Sequence, residues 1–115
     1  MSFTDLERKR IEKALDAFLE KRRPPVHIRP QLDLGYRITE QSVELFEIRP
    51  QWNDPSKIHE HSFAKATFVK ARKIWKIFWM RANLKWYPYE PNPITASIED
   101  FLAIVDADKH GCFFG

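Results

Sequence analysis

Ile74-Trp75-Lys76-Ile77-Phe78-Trp79-Met80 is the stretch on which the fold turns. A strand here puts Ile74, Phe78 and Met80 on one face and Trp75, Ile77 and Trp79 on the other, so both faces carry large apolar groups. Such a strand is central in a sheet, or has helices over one face and a partner over the other. Working outward, Ala71-Arg72-Lys73 connects it to a strand over 63–70. The strand itself runs over 74–81, and Ala82-Asn83 turns into a short strand over 84–89.

Further upstream, Leu32, Leu34, Tyr36 and Ile38 alternate with Gln31, Asp33, Gly35 and Arg37, the pattern of a half-buried strand. Thr39-Glu40-Gln41-Ser42 is polar and short enough for a hairpin turn into a strand over 43–48, closed by Arg49-Pro50. Residues 50–61, with Pro50, Asn53, Asp54, Pro55 and Ser56, read as a loop.

Helices flank this block. Thr4-Asp5-Leu6-Glu7 is a capping box, and Ile11, Ala14, Leu15 and Phe18 form one apolar stripe. Lys21, Arg22 and Arg23 put positive charge on the last turn and Pro24-Pro25 stops it, which predicts a helix over 4–23. At the other end Pro88, Pro91 and Pro93 mark a rigid loop. Ser97 caps a helix over 97–108 whose buried stripe is Ile98, Phe101, Leu102 and Val105, with Gly111 as its terminator. The tail Cys112-Phe113-Phe114-Gly115 is too apolar for a solvated end and is expected against the sheet or an adjoining subunit. The fold class is α+β: a single domain, 1–115, with an antiparallel meander of four to five strands within 31–89 and a helix from each end packed on it.

Composition sets limits. The chain of 115 residues has the size of one domain, and its nine Phe and four Trp supply a core without metal or disulfide support. A single cysteine excludes an internal disulfide and suits a reducing cytosol. Met1-Ser2-Phe3-Thr4-Asp5 leads straight into charged residues with no signal peptide, and no apolar run approaches the roughly 20 residues of a membrane span. Glu7, Glu12, Asp16 and Glu20 on the first helix argue against an interfacial membrane helix. With three glycines the chain can hardly build a phosphate-binding loop. The expected localisation is cytoplasmic, with no membrane partner and no cofactor.

Several segments resemble, in order, a small bacterial family catalogued as a domain of unknown function, of the DUF3024 type. They are Arg29-Pro30-Gln31-Leu32-Asp33-Leu34-Gly35-Tyr36, Phe46-Glu47-Ile48-Arg49-Pro50, Ala64-Lys65-Ala66, Trp75-Lys76-Ile77-Phe78-Trp79-Met80-Arg81-Ala82 and Asp108-Lys109-His110-Gly111-Cys112-Phe113-Phe114-Gly115. The resemblance implies a bacterial cytoplasmic protein. It brings no activity, substrate or catalytic residue.

The richest constellation is 61–89. It holds seven of the 19 Lys and Arg residues and none of the 16 Asp and Glu. Phe63, Phe68, Trp75, Phe78, Trp79, Trp86, Tyr87 and Tyr89 interleave with these cations. Cations attract phosphates and exposed rings stack on unpaired bases, so a sheet carrying both suits single-stranded nucleic acid. The candidate binding residues are Lys70, Arg72, Lys73, Lys76, Arg81, Lys85 and Trp86. Against this stands the plainer reading, in which the rings are core and the lysines guard a sheet edge. No Gly-Phe-Gly-Phe ribonucleoprotein motif is present.

Two alternatives carry catalytic or metal chemistry. Asp33, Glu47 and Lys65 lie in the order of a metal-dependent nuclease, two carboxylates for Mg²⁺ and a lysine on the next strand; they serve equally well as solvated polar residues. His59 and His61, with His110 and Cys112, could complete a tetrahedral zinc site if their loops met; otherwise they are loop histidines and a buried thiol. The tail offers a further expectation, a protein partner or homodimer contact at Phe113-Phe114.

Overall fold

The computed structural model describes residues 3–114. In chain order its elements are α1 (Asp5–Arg22), β1 (Asp33–Ile38), β2 (Ser42–Gln51), β3 (Asp54–Val69), β4 (Ile74–Met80), β5 (Trp86–Pro88), β6 (Ile94–Thr95) and α2 (Ile98–Ala107). Thr4 Oγ1 accepts the Glu7 amide at 3.1 Å and Glu7 Oε1 accepts the Thr4 amide at 2.8 Å, so both halves of the capping box are made at the start of α1. Arg23 is extended because Pro24 follows it, and the helix ends there. Ile11, Leu15 and Phe18 are its buried face, as their spacing predicts.

The strands form one antiparallel sheet in the order β1-β2-β3-β4-β5, so the meander is borne out with five strands, and a sixth, β6, pairs beside β4 off that path. The sixth, at Ile94–Thr95, lies beyond the expected strand region. Ile77 explains it: its amide donates to Pro93 O and its carbonyl accepts from the Tyr89 amide, each at 2.9 Å. The proline-rich connection thus lies along the outer edge of β4 and satisfies backbone groups that an open edge would leave unpaired. Pro93 signals a loop in sequence, yet its carbonyl still accepts.

Residues 50–61, expected as a loop, are a correction. β2 and β3 continue as a hydrogen-bonded ribbon, with Ile48 opposite Glu60, Arg49 opposite His59 and a turn at Trp52-Asn53. β1 has ended by Ile48 and β4 pairs no further than Ala64, so among the described residues this arm has two strands only. Neither face is covered, so no apolar alternation was there to be read. Trp52 at its tip is 92% exposed.

Both helices lie on one face of the sheet, joined to each other by Lys21–Asp106 (2.8 Å) and Arg22–Asp106 (3.4 Å). Val43 and Leu45 of β2, Ala64 and Ala66 of β3, and Trp75 and Ile77 of β4 meet Leu15, Phe101 and Val105 of the helices in one core. A bulge makes β3 contribute more than alternation allows. Leu45 pairs with Ala64 but Phe46 with Ser62, so Phe63 is an extra residue, and both Phe63 and Ala64 are buried. Tyr36 Oη donates to Asp16 Oδ1 at 3.0 Å; burial first, then that carboxylate, push the phenol up to about 12.

α2 begins at its cap Ser97, whose Oγ accepts the Asp100 amide at 3.1 Å. It ends at Asp108 (φ 41°), the bound expected from the sequence, and Gly111 lies further on at φ 64°. Asp tolerates this left-handed backbone because its carboxylate bonds locally. Here Oδ1 accepts the Phe113 amide at 3.0 Å and Oδ2 the Phe114 amide at 2.9 Å. The tail therefore folds back: Phe113 is buried in the core and Phe114 packs on Phe63 at 5.0 Å. Met1, Ser2 and Gly115, also used in the sequence expectations, lie outside the described residues.

Candidate nucleic-acid interface

Strand alternation sorts the basic segment before any chemistry does. Ala64, Ala66, Trp75 and Ile77 point to the helices, so Lys65, Thr67, Ile74, Lys76, Phe78 and Met80 point to the opposite face. Among the described residues neither helix covers that face. Lys65 stands opposite Phe78 on β4, Phe78 opposite Pro88 on β5, and Met80 opposite Trp86. Lys65 Nζ lies 5.0 Å from the ring centroids of both Phe78 and Trp86. A cation at that distance is held by the ring quadrupoles without being neutralised. Lys76, exposed, is one row further along between Thr67 and Ile94, and the Thr67 and Ser42 hydroxyls meet at 2.9 Å.

The same face continues onto β1 and β2 with a different character. Glu44 stands opposite both Arg37 and Lys65, and Arg37 pairs with Glu60. Phe46 is only 7% exposed although it lies outside the core cluster: it fills the space over Gly35, with the Arg37 guanidinium 4.9 Å from its ring. Positive charge is therefore concentrated on the β3–β5 half.

The remaining candidates sit at the two ends of β4. Lys70, Arg72 and Lys73 form the β3–β4 turn, which closes through Arg72 N to Val69 O (3.2 Å) and Lys73 N to Lys70 O (3.3 Å). Lys70 lies 3.9 Å from Glu7, and Lys73 has a left-handed backbone at φ 52°. Arg81 and Lys85 bracket the β4–β5 turn, where Arg81 N donates to Lys85 O at 3.1 Å. Arg81 covers Trp79 and Tyr87 at 5.6 and 4.8 Å on the helix side of the sheet, away from Trp86. One stretch of sequence thus becomes a face and two turns. Among the described residues, Lys65, Arg72, Lys73, Lys76, Arg81 and Lys85 have no carboxylate within 4.0 Å.

The other candidate sets are not brought together. Asp33 is clasped by Arg23 through two 2.7 Å bonds, which hold its carboxyl below the usual range. Glu47 pairs with Arg49 at 2.7 Å and shares a face with Leu34, the face opposite Lys65. His59 and His61 lie on the arm with ring centroids 6.1 Å apart, and His59 meets Gln51 at 3.0 Å. His110 packs edge-on to Tyr89, and Cys112 Sγ points at the His110 carbonyl; burial pushes that thiol's pKa up. No group of three or more His, Cys, Asp or Glu side chains could hold a metal among the described residues.

Sequence reasoning counted Lys65 among the seven cations of 61–89 and, as an alternative, grouped it with Asp33 and Glu47; the fold sets it over two rings. The signal was there in Ala64-Lys65-Ala66, a lysine between small residues, the mark of an outward position on a strand whose other face is tightly packed. Phe78 was visible as apolar, but not as a ring left half-open.

Among the described residues, fold and face together define a small α+β domain, a five-strand antiparallel meander with β6 added beside β4, two helices on one side of the sheet and none on the other. The chain belongs to the DUF3024 family, a domain of unknown function whose family model matches residues 3–115. No curated protein and no solved structure matches it. Among the described residues no helix is long and apolar enough to cross a membrane.

Proposed function

We propose that this chain is a non-enzymatic nucleic-acid-binding module that lays a single strand across the bare face of β3, β4 and β5. The observation that carries the reading is Lys65, centred 5.0 Å from both Phe78 and Trp86, with exposed Lys76 on the same face. A phosphate drawn to Lys65 and Lys76 brings its base over half-open ring faces. Arg72 at one end of β4 and Lys85 at the other extend the charge along the strand's path. Single strands are favoured over duplex because only an unpaired base offers its flat face. No metal or cofactor enters this binding mode.

The test is fluorescence anisotropy with a labelled single-stranded oligonucleotide and its duplex, across a salt series. Binding is expected to weaken steeply with salt, by about 0.7 log units per tenfold salt for each phosphate engaged. Lys76→Glu and Lys65→Gln should lower affinity and flatten that slope, with the fold intact by circular dichroism. Trp86→Ala should weaken single-strand binding by about 1–3 kcal/mol while leaving the slope unchanged. Lys9→Glu and Lys13→Glu on α1 serve as charge controls and should matter less. Absence of binding to both oligonucleotides at low salt sinks the proposal, since electrostatic attraction is strongest there.

A further inference from the structure

A separate cavity of about 470 Å³ lies on the helix side, between the N-terminal half of α1, the β3–β4 turn and the first turn of α2. Its volume falls within the range of about 300–1,000 Å³ usual for small-molecule sites. Its floor is aromatic: Phe3 stacks on Trp75 at 5.8 Å, Phe68 lies 5.0 Å from Trp75, and Phe3 and Phe68 are 6.2 Å apart. Phe3 and Phe68 are only partly buried and so present ring surface to the opening.

The walls carry charge of both signs, and their pairing decides what is left over. Glu7 is committed: it accepts the Thr4 amide at 2.8 Å, which holds its carboxyl below the usual range, and Lys70 is 3.9 Å away. Arg10 and Lys73 line the same cavity, and among the described residues neither has a carboxylate within 4.0 Å. Glu99, also on the wall, offsets one of them, so the surplus is cationic. Lys73 belongs to a tight turn whose left-handed backbone aims it from a defined position. An uncharged apolar compound would leave that surplus positive charge without a counter-charge. A small inorganic anion would leave the aromatic floor wet.

We propose that this cavity binds a small organic anion with a flat aromatic body, the body seated on Phe3, Phe68 and Trp75 and the carboxylate or phosphate head taken by Arg10 and Lys73. Neither Arg10, Phe3 nor Phe68 takes part in the nucleic-acid face, and Lys65, Lys76 and Trp86 take no part here, so either reading can fail alone.

The probes are 2-naphthoate, 2-naphthyl phosphate and the neutral 2-naphthylmethanol, titrated into the whole chain and followed by amide and indole NMR shifts. Both anions are expected to move the Trp75 indole and the amides of Phe3, Phe68 and Lys73, and the neutral compound to bind at least tenfold more weakly. Tighter binding of the phosphate would identify that head group, and of the carboxylate the other. Arg10→Gln and Lys73→Gln, both at surface positions, should each weaken the anions fivefold or more and leave the neutral compound unaffected. Three results overturn the proposal: no shift at millimolar anion, equal affinity for the neutral compound, or shifts that map elsewhere on the domain. Affinity unmoved in both variants overturns it as well.

Discussion

Gly35→Ala tests the packing of the bare face with one methyl group. A Cβ built at Gly35 lies 2.7 Å from Phe46 Cε1 and 2.9 Å from Cζ, with Ile48 Cδ1 at 3.5 Å behind them. The first two distances are well inside van der Waals contact, so the ring must move. It has little room, since Phe46 is 7% exposed and has the Arg37 guanidinium 4.9 Å from its centroid. The glycine is there for space alone: its φ is not positive, and Gly111 is the positive-φ glycine of the described chain. Overpacking of this kind costs about 1–3 kcal/mol. Without the ring, the same substitution should instead be neutral or stabilising by about 0.5–1 kcal/mol, because alanine loses less backbone freedom in a strand. A double-mutant cycle with Phe46→Ala should therefore show a coupling of about 1–4 kcal/mol. Urea unfolding of parent, both single variants and the double variant measures it, provided the m-values agree. Equal destabilisation by Gly35→Ala with and without Phe46 would refute the ring contact as the cause.

Other expectations follow from single contacts. Asp33→Asn should lower the neutral-pH urea midpoint. The Asp33 carboxyl is depressed in the folded state, chiefly by the Arg23 hydrogen bonds, so its stabilisation is present above the unfolded value near 3.9 and is lost as pH falls through the folded one. The variant should accordingly show a shallower acid limb, and an identical pH profile would mean the pair contributes nothing. Asp108→Ala should destabilise by about 2–3 kcal/mol, since two amides lose a charged acceptor and the left-handed cap loses its local partner. Asp108→Gly keeps the backbone but not the acceptor, so a parent-like melting curve for that variant would show that the tail is held by Phe113 burial alone.

Much of the fold was legible in the residues themselves. A capping box, an apolar stripe at helical spacing and a proline stop are local devices, and α1 has its caps where they put them. Alternation at Leu34, Tyr36 and Ile38 marked β1 because one face is buried and the other is not. The arm and β6 were illegible for the converse reason. A ribbon exposed on both faces needs no apolar pattern, and Ile94–Thr95 is a strand only because β4 offers it an edge. Local pattern in the sequence determined the α+β class, and composition the cation-rich, carboxylate-free central segment. Only the tertiary structure decided how that segment divides: Lys65, Lys76, Phe78 and Trp86 to the bare face, Lys73 to a cavity beneath the helices, Arg81 to the far turn. The division is set by the period of two along each strand and by which face the helices cover, and the second of these is a long-range packing choice that no local stretch of sequence encodes.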